Sequence, residues 1–476
     1  MSAAGLWMLV AVAVLVVTTG LPVWSLLLGV GSAGAVLAWM AGHDVSVMTA
    51  IGPRITSLLE HDLLQAMPLY VFVGVLLQRM TVADALFASG ERLVGAPVAS
   101  LGVGALIAPM NGSVASSSAL LSRLVAPRLQ GMAPARAMAL ISVAATIGVV
   151  VPPSLVLILL GDAMLRAHTE ASNLPGFVLQ GRIVNTQDIL HAALPPAVLV
   201  LLLWAGVAWM NDRRTSRPAL QRFRARDAVL AIAAAAAILL LLGGVFLGRL
   251  FAVEVAAAGG CALALGALVT RSLDAKAWQA VLLDTLALSG ALFALLVAAT
   301  TFSLVFRVFG TDRWLADAVL ASPFPPMATS ALVLLFVALC ACALDAFEMI
   351  FVVIPIVAPL LVFQLGDAQQ AAVLLLFVLQ LSFLLPPLGY AVMMTRARAG
   401  LPSVDNATLL KALAPFMAAQ VLVGVLVFAW PRITHLLDDA APPPGEATSA
   451  PSEADIVKQM EEMARDPADA ASGAQK

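Results

Sequence analysis

Two pairs of consecutive prolines lie deep inside uncharged stretches of this chain, Pro152-Pro153 within residues 137–161 and Pro386-Pro387 within residues 368–395. Proline lacks an amide N–H, and its ring clashes with the carbonyl one turn back. Each pair therefore predicts an unwound helix whose carbonyls, at 148–151 and 382–385, lose their donors. In hydrocarbon an unpaired carbonyl costs several kcal/mol, so such backbone is tolerated only beside protein or a wet cavity. Bare carbonyls suit cations, and the N-termini of half-helices suit anions. A packed kink is the plainer alternative for any one proline, but two double prolines point to a site.

Hydroxyls and carboxylates precede each pair. Residues 93–122 would span about 45 Å as one straight helix, too long for an upright crossing. Pro109-Met110-Asn111-Gly112-Ser113 interrupts the run, which predicts a re-entrant hairpin with its tip near the midplane. Ser113, Ser116 and Ser117 then share one helix face, whereas Ser118 and Ser122 read as small residues that let helices approach. In the second half Asp345 and Glu348 interrupt an apolar region. An acid within a membrane is a functional candidate by default. Asp345, at the expected hairpin tip, is the stronger one; for Glu348 a solvated interfacial position competes equally. Glu254, five residues after Arg249, suits an ion pair or a helix start at least as well as ion binding.

The elements that must position these groups follow from composition. The chain has 476 residues, of which 61% are hydrophobic and 11% charged, with a mean hydropathy of +0.99. A soluble domain carries about 25% charged residues, and uncharged runs of about 20 residues are long enough to cross roughly 30 Å of hydrocarbon. The expected class is an all-α, polytopic integral membrane protein. A net charge of −2 offers no basic field for nucleic acid. No G-x-x-x-x-G-K-[ST] loop is present, so no nucleotide site is expected. Cys261, Cys340 and Cys342 lie in apolar runs and read as small buried hydrophobes. The first six residues carry no lysine or arginine, and apolar character continues to Trp39, which reads as a membrane segment and not a cleavable leader.

Residues 211–227 hold six arginines, and the positive-inside bias places them in the cytoplasm. The sequence on either side repeats. Residues 83–88 resemble 316–321 at an offset of 233, and the double prolines match at 234. The expected organisation is a first membrane repeat over 1–210 (hairpin 93–122, broken helix 137–161) and a basic linker over 211–227. A second repeat follows over 228–435 (hairpin 326–365, broken helix 368–395), then a tail over 436–476. After Leu437 that tail carries nine acids against three bases and reads as poorly ordered.

Taken together, Met67-Pro68-Leu69-Tyr70, Gly112-Ser113 with its following serines, Val151-Pro152-Pro153-Ser154, Leu344-Asp345-Ala346-Phe347-Glu348 and Gln380-Leu381-Ser382-Phe383 with Pro386-Pro387-Leu388-Gly389 form a specific pattern. From about Leu6 to Trp430 the chain resembles the large membrane subunit of tripartite ATP-independent periplasmic (TRAP) transporters, the DctM-like family, nearest its monocarboxylate and 2-oxo-acid subgroup. The resemblance implies an elevator-type transporter of inverted-topology repeats in the bacterial inner membrane. It implies two partners, a small four-helix membrane subunit and a secreted solute-binding protein that delivers an organic acid anion. It also implies coupling to sodium and no other cofactor. One sodium site would fall on Asn111, Gly112, Ser113, Ser116 and Ser117 with Gly148, Val151 and Pro152, the other on Asp345 with Ser382, Leu385 and Pro386. Substrate would lie between them, near Ser113, Pro153, Ser154, Glu348, Pro387 and Gly389. Threonine is usual in the family where this chain has Leu385, which leaves carbonyls to hold a cation there. A stand-alone ion-coupled anion symporter and a non-transporting scaffold or sensor of the same fold are the alternatives.

Overall fold

The computed structural model describes residues 4–44, 46–60, 62–111, 113–129, 131–152, 154–172, 174, 184–212, 225–342 and 344–438, and among these the chain is helical with no strand. Most of the arginine-rich linker and the expected poorly ordered tail beyond 438 lie outside the described residues. Among the described residues seven helices are long and apolar enough to cross a bilayer, or up to nine if two bent helix pairs each count as one span.

Burial separates a centre from a rim. Helix Pro134–Val150 buries every residue from Ala137 to Val150, and helix Ala368–Phe383 is buried along nearly its whole length. Helix Ala225–Phe246, by contrast, leaves Val229, Ile232, Leu239 and Leu240 exposed. Apolar side chains facing outward are what a lipid solvent permits, because all of the helix's own amides are satisfied internally.

Two hairpins and two broken helices meet around this centre, with the second hairpin's first arm leaving Leu332, Leu335 and Leu339 exposed. The first hairpin is Ala96–Asn111 and Val114–Val125, and the second is Pro326–Ala341 returning through Ala346–Glu348, a π-helical turn Met349–Val353 and Ile354–Leu365. The first hairpin begins three residues later than the uncharged run, because Leu93 belongs to the preceding helix Val82–Val94, which Gly95 ends. The first broken helix is Pro134–Val150 and Leu155–Ser172, bent by 43°. It continues past the uncharged run through Asp162 and Arg166, which pair one turn apart at 2.8 Å. The second broken helix is Ala368–Phe383 and Tyr390–Arg398.

Contacts between the two halves come in reciprocal pairs. The return arm of the first hairpin packs on Tyr390–Arg398 of the second broken helix, and the return arm of the second hairpin packs on Leu155–Ser172 of the first. On the rim, Val23–Met40 packs on Ala275–Val308, as Ala252–Thr270 does on Asp62–Arg79. At the centre, Gln380 Nε2 donates to the Thr146 carbonyl at 3.3 Å across 234 residues. That separation equals the offset of the double prolines. Both side chains are fully buried. Gln380→Met keeps the volume and removes the bond, and is expected to cost on the order of 1 kcal/mol. A thermal shift assay on purified protein reads this as a Tm lower by a few degrees.

Candidate functional site

Each hairpin lies against the broken helix of its own half. In the first half the contact is backbone on backbone: a Cβ at Gly148 would meet the Ala108 carbonyl oxygen at 2.5 Å, and one at Gly104 would meet the Ala144 carbonyl oxygen at 2.7 Å. Glycine and alanine four residues apart on each helix permit this crossing, the small-residue contact of membrane helices. It sets the end of the hairpin's first arm, Ala96–Asn111, beside the end of helix Pro134–Val150. The side chain of Asn111, and Gly112 and Pro153 altogether, lie outside the described residues.

At the first break the Val151 amide still donates to Ile147 at 3.1 Å, after which Pro152 and Pro153 offer no donor to Gly148 and Val149. Among the described residues no backbone amide reaches the carbonyls of Val150 and Val151 either. Ser154, fully buried, accepts the Leu157 amide at 3.1 Å and so caps the outgoing half-helix. Ser113 starts the hairpin's return arm in extended conformation, with no side-chain capping bond. Ser116 accepts from the Gln78 amide group, and Ser117 is buried. Ser118 and Ser122 are buried without side-chain hydrogen-bond partners among the described residues.

The second break differs. Leu385 donates its amide to the Ser382 carbonyl at 3.2 Å, and Gly389 donates to the Leu385 carbonyl at 2.7 Å. The expectation of four free carbonyls over 382–385 is therefore corrected: a tight turn engages those of Ser382 and Leu385 and leaves Phe383 and Leu384 without backbone donors. The Ser382 hydroxyl donates to the Val378 carbonyl at 2.9 Å. Gly389 faces its own turn, since a Cβ there would sit 2.6 Å from the Phe383 oxygen and 2.7 Å from the Leu385 nitrogen. It closes the break more than it offers a surface to substrate. Leu385 and Pro387 are exposed, whereas Pro152 is buried.

At the second hairpin tip Asp345 accepts the Ala346 amide at 2.7 Å, and Glu348 accepts the Asp345 amide at 2.9 Å. This is a capping box, in which the side chain of the third helical residue reaches back to the N-cap amide. Both acids thus start the returning half-helix while remaining half-buried, with oxygens to spare. Glu254 plays the same helix-start role, accepting the Phe251 amide at 2.9 Å. Among the described residues no three His, Cys, Asp or Glu side chains converge as a metal site. A cation held here would rest on carbonyls, hydroxyls and one carboxylate, a hard-oxygen set.

The Thr146–Gln380 crossing escaped the sequence reading, although both are polar residues at the repeat offset inside uncharged runs. So did a cavity of about 390 Å³ beside the second hairpin's return arm, bordered by Ile350, Phe351 and three arginines.

Comparison with known proteins gives a family, two named relatives and a solved structure of similar fold. The family model described as "Tripartite ATP-independent periplasmic transporter, DctM component" matches residues 9–433. The sialic acid TRAP transporter large permease protein SiaM of Vibrio cholerae is 22% identical over 435 residues, covering 88% of this chain and 95% of that protein. The sialic acid TRAP transporter permease protein SiaT of Haemophilus influenzae is also 22% identical, over 87% of this chain but 65% of its own length. Among solved structures, the YdaH transporter of Alcanivorax borkumensis, described as having an unusual topology, superposes with a TM-score of 0.62 at 16% identity. The match spans 90% of this chain and 98% of that one.

Proposed function

The chain belongs to the DctM-component family of tripartite ATP-independent periplasmic transporters, and we propose that it drives uptake of an organic acid anion with a sodium gradient. It is a large permease subunit, a multi-span protein of the bacterial inner membrane and not an enzyme. Such permeases work with a small membrane subunit and a solute-binding protein.

The observation that carries the proposal is the packing of two helical hairpins on two broken helices. In the first half, sodium rests between the Ser113 region and the carbonyls of 148–151. In the second it rests between Asp345 and the 383–384 carbonyls. The anion sits between the tips, close enough to gain from the cations that accompany it. Two relatives are named for sialic acid, itself a carboxylic acid, which supports the substrate class. The basic linker in the cytoplasm then sets the sidedness, with the far end of helix Thr186–Asp212 facing the periplasm.

The test is uptake into proteoliposomes holding this chain and its small subunit, with binding protein loaded with labelled sialic acid or a 2-oxo acid outside. Accumulation should require inward sodium and should fail with a potassium gradient. Equal uptake without binding protein and small subunit would favour a self-sufficient symporter; none with any loaded binding protein would favour a scaffold. Within that assay Asp345→Asn and Ser113→Ala are expected to raise the sodium concentration for half-maximal uptake by about tenfold, the loss of one charge-assisted oxygen contact. Unchanged activation curves in both variants would remove these residues from the ion sites.

A further inference from the structure

The 390 Å³ cavity lies between Leu155–Ser172, the second hairpin's return arm, helix Ile51–Leu59 and the outer end of Ala275–Val308. Its volume is that of a small-molecule pocket. One wall is apolar, with Leu159, Leu296 and Phe351, while Thr300 and Ser303 add hydroxyls. Among the described residues its charged rim holds Arg54, Arg166 and Arg307 with Asp162 and Glu170, a surplus of one positive charge. Arg166 pairs with Asp162, and Arg307 pairs with Glu170 across two helices. Arg54 has no ion-pair partner among the described residues and is exposed to the cavity mouth. With the arginine-rich linker in the cytoplasm, chain order puts Ser172, Arg307 and Arg54 at periplasmic ends of their helices. The cavity floor, at Ile350, lies two residues from Glu348 of the hairpin tip.

We propose that this cavity is a periplasmic anion vestibule, in which Arg54 and Arg307 attract a small carboxylate and pass it to the second hairpin tip. The assignment rests on the transport reading for its purpose, though not for its electrostatics. A positive, low-dielectric cleft raises the local concentration of anions and repels cations. The unpaired Arg54 supplies the net field at the mouth. Arg307, held by Glu170, is exchangeable: an entering carboxylate can take the place of the glutamate.

Charged thiol reagents test this without requiring transport. The three native cysteines are replaced by alanine, Thr300→Cys is introduced in the cavity wall, and the chain is co-expressed with its small subunit in right-side-out membrane vesicles. The sulfonate reagent MTSES and the trimethylammonium reagent MTSET serve as matched anionic and cationic probes. The MTSES/MTSET rate ratio at the introduced thiol, divided by that for a simple thiol in solution, should exceed one. In Arg54→Gln it should fall by about fivefold, the effect of one charge some 8 Å away in water on probes of opposite sign. Arg54→Lys should retain the ratio, and high salt should flatten it. A ratio indifferent to both Arg54→Gln and salt overturns the vestibule. Labelling only in inside-out vesicles overturns its periplasmic placement. A chain inactive in transport that still shows the anion preference would count against the proposed function and leave the vestibule standing.

Discussion

Gly148→Ala is expected to lower uptake by about a hundredfold, the order of loss that a 1 Å displacement of a positioned group produces, while the protein still inserts into the membrane. The added methyl would lie 2.5 Å from the Ala108 carbonyl oxygen and 2.6 Å from its carbon. These are backbone atoms within a helix and cannot swing aside, so the hairpin arm must move away as a body. Overpacking of this kind costs about 1–3 kcal/mol, which a large membrane protein survives. The site does not, because the arm that moves carries Asn111–Ser113 away from the carbonyls of the break. A double variant with Ala108→Gly discriminates the cause. It removes the Ala108 methyl, 2.9 Å from the new one, but leaves the carbonyl in place. Uptake should therefore stay low; recovery would mean that side chains and not backbones set the distance.

Gly389→Ala should be comparably severe for a different reason. Its backbone angles, φ −51° and ψ 121°, are open to any residue, so conformational freedom is not what the position needs. What it needs is absence of bulk, because the turn folds the Phe383 and Leu385 carbonyls onto its Cα at distances below 3 Å from any Cβ. Alanine must open the turn, break the 2.7 Å bond from its amide to Leu385 and reorient Tyr390–Arg398. Because that half-helix packs on the first hairpin's return arm, the damage crosses to the other half. Uptake should drop by about a hundredfold, and the same change at Gly424, where a Cβ meets nothing within 4 Å, should leave it intact. Equal effects at the two glycines would point to general destabilisation instead.

Much of the architecture was legible because lipid imposes simple rules. Uncharged runs near 100, 145, 335 and 375 became hairpins and broken helices, and each hairpin's return arm packs on the outgoing half of the other broken helix. Proline pairs alone do not suffice, however. Pro195-Pro196 sits inside the continuous helix Thr186–Asp212. Tertiary neighbours decide whether a proline pair unwinds or merely bends a helix, and no local pattern carries that information. The asymmetry of the two breaks was hidden for a related reason. Ser154 caps one half-helix where Gly389 closes a turn before the other, and only the fold shows that these serve comparable ends. Asp345 and Glu348 were recognised as unusual acids, but their reciprocal capping depends on where the half-helix starts. Gly148 is one glycine among 33, and nothing adjacent to it in the chain announces the Ala108 carbonyl. The arginines of the vestibule come from three helices far apart in sequence.

The most direct test of paired ion sites is the sodium dependence of initial uptake in proteoliposomes at saturating loaded binding protein. Two sites on two equivalent half-structures predict a sigmoidal activation curve for the natural chain, with a Hill coefficient above one. The curve should become hyperbolic in Asp345→Asn, where only the first-half site remains intact. Uptake that proceeds at the same rate with sodium replaced by potassium on both sides would contradict the assignment of either break as a sodium site.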